Sequence, residues 1–216
     1  MNKIDFELNL PKPYISYSQM NTYLWDPQEY YQQYYLGKDF MEEMRREHPD
    51  RWEKIKLGAI FQDAWYDPRI NWRKKLKADG FTSDKERIIE TALAHPKMIR
   101  FPTSVCEKMY TMNYRGVPIL IKPDGWKLQD KFLIENKFGS PRGQENVDED
   151  IQISFYCLGI KLQWGFIPDR IVLQSVNDRT GRVDPIETKR TEADLRHVGD
   201  LIIQVARGIS ARIFEK

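Results

Sequence analysis

Cysteine is scarce: Cys106 and Cys157 are the only two in 216 residues. Neither belongs to a Cys-x-x-Cys pair, which excludes a cysteine-built zinc site and a cysteine-held iron–sulfur cluster. A reducing compartment fits this usage better than a disulfide framework. Histidine is equally rare, and His48, His95 and His197 share no spacing, so they read as surface or capping residues. No stretch approaches the roughly 18 apolar residues of a membrane span. The opening Met-Asn-Lys-Ile-Asp-Phe-Glu lacks the apolar run of a signal peptide, so the expected location is cytoplasmic. There is no Gly-rich phosphate loop, which argues against an ATP-driven motor. There is no internal repeat and no low-complexity linker. Neither charge sign dominates: 34 Lys and Arg face 32 Asp and Glu, for a net +2. That balance leaves a local basic groove open.

What is present is ordinary for a globular chain: 41% hydrophobic and 31% charged residues, with 12 Gly and 12 Pro. At 25.8 kDa a sizeable core forms without a staple, and one domain is expected. Within it, residues 1–100 read as a helical part and 101–216 as a strand-rich core. Asp26-Pro27 starts a helix through Leu36, and Gly37 stops it. Seven of the 11 tyrosines lie between Tyr14 and Tyr35, where they line a single-strand channel or pack the opening helices on the sheet. A second helix fits Arg51 to Tyr66, with Leu57, Ile60, Phe61, Ala64 and Trp65 at helical spacing. A third opens at Ser83, where Ser83 and Glu86 match a capping box.

Beyond residue 100 the period changes. Strands are predicted over Cys106–Tyr114, Ile119–Leu128 and Phe132–Lys137, with turns at Arg115–Pro118 and Gln129-Asp130. Asp148 is expected to cap a helix through Gln163 with Ile151, Phe155, Leu158 and Leu162 on one stripe. Ile171–Val176 and Val183–Lys189 follow as strands, and Thr191 opens a last helix.

A turn centred between Gln129 and Asp130 puts Asp124 directly opposite Glu135, on one face of the hairpin. Alternation along the strand adds Lys137 to that face. Two close carboxylates repel unless a cation compensates. Lys137 offsets one charge, and a hard divalent cation such as Mg²⁺ would satisfy both while keeping bound water. An exposed salt-bridge ladder is the competing reading. Asp178 with Glu187-Thr188-Lys189 repeats the residue types, but Asp178 sits at a turn and Asp184 falls on the wrong face. In the following helix, Gln152 and Tyr156 are four apart and share a face.

These features resemble the PD-(D/E)xK nuclease superfamily in its RecB-type, phage exonuclease-like branch. The matching motifs are Pro123-Asp124, Glu135-Asn136-Lys137 and Gln152-x-x-x-Tyr156, with Ser16-Tyr17-Ser18 to Tyr35 similar to the branch's opening helix. The likeness spans roughly residues 14 to 190. It implies an α/β (α+β) fold: a restriction-endonuclease-like core with a central mixed sheet flanked by helices, behind an N-terminal helical segment. It implies a Mg²⁺-dependent deoxyribonuclease, Mn²⁺ also serving, that works from DNA ends in recombination, repair or phage DNA processing. Asp124 and Glu135 would hold the metal with the carbonyl of Asn136. Lys137 would orient or activate the attacking water and stabilise developing negative charge, Gln152 would position the phosphate or the lysine, and Tyr156 would support that face or contact DNA. Glu107 matches a position that is often acidic. Gly58-x-x-x-Gln62 stands where the branch commonly has Gly-x-x-x-His, which makes Gln62 a candidate oxygen ligand. Asp26 precedes Pro27 where some relatives have a cluster cysteine, so no iron–sulfur cluster is expected. A chain of this size resembles phage exonucleases that act beside a single-strand annealing protein. The alternatives are a DNA-binding protein with a weakened site and a structure-specific or restriction-type endonuclease. The run Arg69, Trp72, Arg73, Lys74 and Lys75, with Lys77, could grip phosphates and stack a base, or form a solvated helix face.

Overall fold

The computed structural model describes residues 3–215. Its elements, in chain order, are β1 (Ile15–Ser16), α1 (Tyr17–Trp25), α2 (Pro27–Tyr34), α3 (Phe40–Glu47), α4 (Pro49–Tyr66), α5 (Trp72–Ala78) and α6 (Ser83–Leu93). Then follow β2 (Tyr110–Tyr114), β3 (Val117–Ile121), β4 (Gly125–Lys127), β5 (Phe132–Gly139), α7 (Gln144–Asp148), α8 (Ile151–Trp164), β6 (Arg170–Asn177), β7 (Val183–Thr188) and α9 (Glu192–Ser210). The fold is mixed α/β, with two mixed sheets flanked by helices.

The strand predicted over 119–128 is two strands in different sheets. β3 lies between β1 and β2, whereas β4 opens the order β4-β5-β6-β7. The break falls at Pro123, which has no N–H for a ladder. The β4–β5 register pairs Gly125 with Ile134 and Trp126 with Leu133, the register the turn position dictated. β5 and β6 run parallel, with Asn136 beside Gln174. A parallel pair needs a long crossover, and α7 and α8 supply it.

The four-stranded sheet separates two cores. On one face, Leu133, Ile171 and Leu173 pack with Phe155 and Leu158 of α8 and Ile202 of α9. On the other, Ile134, Val172 and Val176 meet Leu57, Ile60 and Phe61 of α4, the apolar stripe that helical spacing marked. Three local expectations need correction. α6 is preceded by Thr82 with no side-chain cap bond, because Ser83 is already inside the helix. Asp148 ends α7, and Asp150 caps α8 through the Ile153 N–H at 3.1 Å. The α8 stripe also fails: Ile153 to Ile160 are buried all round while Ile151 and Leu162 are exposed. With β2 and β3 on one side and α9 on the other, no polar face survives there. β1 and α3 were not foreseen; α3 buries only Met44, too little apolar signal to mark a helix.

Candidate active site

β5 is an interior strand, and its middle carries the candidate site residues. Asp124 lies just before β4, opposite Glu135 by continuation of the hairpin register. Its Oδ2 accepts the Asn136 backbone N–H at 2.6 Å. Glu135, only 3% exposed, accepts through Oε1 from Lys137 Nζ at 3.0 Å and from Gln152 Nε2 at 2.7 Å. Lys137 Nζ also donates to Gln152 Oε1 at 2.5 Å, and Gln152 Nε2 reaches the Tyr156 hydroxyl at 2.8 Å. One helical turn of α8 therefore locks the carboxylate and the amine in place.

Burial, reinforced by Glu135, pushes Asp124 well above the ordinary carboxylate range. Burial also raises Glu135, against the pull of Lys137. For Lys137 burial acts downward, but Glu135 and Asp124 outweigh it, so the ammonium is held more firmly than usual. Burial likewise raises the Tyr156 phenol. Two acids kept uncomfortable beside a firmly protonated lysine make a site that gains from a further positive charge.

The donors fit a hard cation. Glu135 Oε2 is buried with no hydrogen-bond partner, and the groups around it offer oxygen rather than sulfur or imidazole. Among the described residues no three His, Cys, Asp or Glu side chains gather into a preformed metal cluster. Two carboxylates suit Mg²⁺, which keeps several of its own waters.

Asn136 sits between Glu135 and Lys137 with its side chain on the opposite sheet face. There its Nδ2 donates to Gln62 Oε1 at 3.3 Å, so Gln62 reaches the strand through Asn136. Glu107 pairs with Lys122 at 2.8 Å, and its backbone N–H donates to the Asp124 carbonyl at 3.1 Å. The basic run does not join this constellation: Trp72 is buried, Arg69 pairs with Asp67, Arg73 with Glu86 and Glu90, and Lys75 with Asp63. Lys74 is exposed. Tyr23 and Tyr30 are buried and pack edge-on, and Tyr31 and Tyr35 close on Phe214. Cys106 and Cys157 are free and buried, their thiols pushed up to about 12.

Four neighbours escaped sequence reasoning. Asp150, besides capping α8, takes Arg142 Nη1 at 3.2 Å. Burial raises the Tyr17 phenol, with Asp150 and Glu135 adding and Lys137 and Arg142 opposing, and its ring packs edge-on against Phe155 of α8. Arg142 and Lys137 border an open depression of ≈ 580 Å³. Gln174 is fully buried in β6, and a lone glutamine inside Ile-Val-Leu-Gln-Ser-Val was the signal available for it.

No family model matches this chain, and no curated protein matches it. Among solved structures it is similar to a candidate exonuclease from Eubacterium rectale, 12% identical over 94% of this chain and 83% of that one, with a TM-score of 0.49. Likeness at this level says nothing of activity, which has to come from the side chains.

Proposed function

We propose that this chain is a metal-dependent deoxyribonuclease that hydrolyses phosphodiester bonds from DNA ends. The supporting observation is that Asp124, bonded to the Asn136 backbone N–H, and Lys137, bonded to Glu135 Oε1, flank Glu135, whose other oxygen is buried with no partner. Asp124 and Glu135 would hold Mg²⁺, or Mn²⁺ in its place, with the Asn136 carbonyl as a further oxygen. When bound, the cation supplies Lewis-acid stabilisation of charge developing on the phosphate. Lys137 stays protonated, so it orients the attacking water and offsets negative charge and does not remove the proton. Gln152 keeps Lys137 and Glu135 in mutual register, and Tyr156 fixes Gln152. Water oxygen bonds to phosphorus and gives up a proton to solvent, the bond to the leaving 3′ oxygen breaks, and that oxygen takes a proton from solvent, which leaves a 5′-phosphate and a 3′-hydroxyl. The same reading places the protein in a reducing, DNA-containing compartment, with a single-strand annealing protein as its partner. Among the described residues no helix is long and apolar enough to cross a membrane.

The test is end-labelled linear DNA with Mg²⁺, Mn²⁺ or chelator, beside a covalently closed circle. Metal-dependent trimming of the linear DNA with the circle intact is expected, and Glu135→Ala and Lys137→Ala should abolish it. Nicked circles would favour an endonuclease. Binding without cleavage would favour the DNA-binding alternative.

A further inference from the structure

The resemblance makes Gln62 a metal ligand through its side-chain oxygen. The hydrogen bonds around it point elsewhere. The backbone N–H of Ile99 donates to Gln174 Oε1 at 2.7 Å. A backbone N–H can only donate, so this bond fixes which end of the Gln174 amide is oxygen. Gln174 Nε2 then donates to Asn136 Oδ1 at 2.7 Å, with the Ile99 carbonyl at 3.3 Å as a second acceptor. That in turn commits Asn136 Nδ2 to donate, and Gln62 Oε1 accepts it at 3.3 Å. Three amides run head to tail from one backbone group, and each fixes the orientation of the next. The free end of the chain is Gln62 Nε2, which is buried and has no partner. A buried donor left unpaired is costly, and such a group calls for an explanation in strain, in function or in a bound water or ion.

We propose that Gln62 serves the site as a hydrogen-bond donor to an acceptor oxygen, not as a cation ligand, and that Gln174 is the positioning residue that sets this polarity. The inference rests on the nuclease reading above. β5 pairs with β4 only as far as Ile134, so at residues 135–137 that side of the strand has no ladder partner among the described residues, and groups from either sheet face can meet an oxygen held there. The acceptor is an oxygen of the DNA phosphates or of water held by the cation, chemically alike in accepting an N–H.

Three measurements separate the possibilities. The first is Mn²⁺ affinity by calorimetry for wild type, Glu135→Gln and Gln62→Leu. Glu135→Gln should lose at least about tenfold, since it removes one of only two charged ligands, whereas Gln62→Leu should stay within about twofold. A tenfold loss in Gln62→Leu would make Gln62 a ligand and overturn the proposal. Wild type that binds no Mn²⁺ would instead bring down the nuclease reading.

The second is affinity for a fluorescent DNA duplex in Ca²⁺, with cleavage checked on a gel. Gln62→Leu and Gln174→Met should each weaken binding about three- to tenfold, the net scale of one hydrogen bond. The double variant should lose no more than either single one, because both act through the same donor. Additive losses, or Gln174→Met binding like wild type, would overturn the relay. A merely structural Gln174 would lower the melting temperature without this non-additivity.

The third is read on the wild-type protein. The Gln62 side-chain N–H₂ signals, assigned by their loss in Gln62→Leu, should move on adding DNA in Ca²⁺. Movement with Ca²⁺ alone would assign the acceptor to water held by the cation. Signals that stay fixed under both additions would overturn the proposal.

Discussion

Two antiparallel pairs in one sheet carry the same residue types and end as opposites. In β4–β5, Asp124 and Glu135 face each other, bury their charge and leave an oxygen unpaired. In β6–β7, Glu187 lies opposite Val172 and Asp184 opposite Ser175. Glu187 is exposed and pairs with Arg170 at 2.9 Å, Asp184 pairs with Arg182 at 2.9 Å, and Lys189 is exposed. Composition is shared; register, burial and pairing are not. A Glu-x-Lys string is therefore informative only once a turn fixes what stands across from it. The paired, solvated version is worth little to stability, and the buried, repelling version holds both acids above the ordinary carboxylate range.

The contrast can be broken most forcefully by cleavage. Glu135→Ala and Lys137→Ala should each lower the rate by about a thousandfold or more, the scale of losing transition-state charge stabilisation. Glu187→Ala and Lys189→Ala should stay within about twofold of wild type on the same labelled substrate. Equal losses at both hairpins would erase the distinction.

Stability sharpens it next. A Cβ at Gly125 would lie 2.5 Å from Phe101 and 2.7 Å from Ile134. Gly125→Ala should thus cost about 1–3 kcal/mol in urea denaturation through overpacking and weaken Mn²⁺ binding by moving Asp124. A change of opposite sign is expected at Asp124 itself. Asp124→Asn keeps an oxygen for the Asn136 N–H but removes the repulsion with Glu135, and should stabilise the chelated protein near pH 8. Asp184→Asn should change stability by less than about 0.5 kcal/mol.

The pH dependence follows from the same shifts. Both carboxylates titrate higher in the folded chain than in the unfolded one, so the folded state holds extra protons. Stability in chelator must then fall as pH rises from about 4 through the native values. Mg²⁺ should restore progressively more of it over that range. Melting temperatures with and without Mg²⁺, for wild type and Asp124→Asn, read this directly. A wild-type curve parallel to that of Asp124→Asn would contradict it.

The hairpin was legible because its turn residues fix the register and the register decides the face. The helix carrying Gln152 and Tyr156 was legible as a helix, and its apolar α4 counterpart by period alone. The break at Pro123 was written in the residue and misread, since the apolar run continues across it. The amide chain from Ile99 through Gln174 and Asn136 to Gln62 could not be read at all. It depends on β5 and β6 lying parallel in one particular register, and nothing local specifies that pairing. The Gly58-x-x-x-Gln62 match marked Gln62 as a cation ligand, whereas the contact its oxygen makes is with Asn136 of the strand.

Anomalous diffraction from a crystal soaked in Mn²⁺ probes the site most directly. One strong peak should lie within coordination distance of both the Asp124 and the Glu135 carboxylates, with Lys137 Nζ still on Glu135. A peak elsewhere, or none at saturating Mn²⁺, would contradict the convergence of these two acids on a single cation.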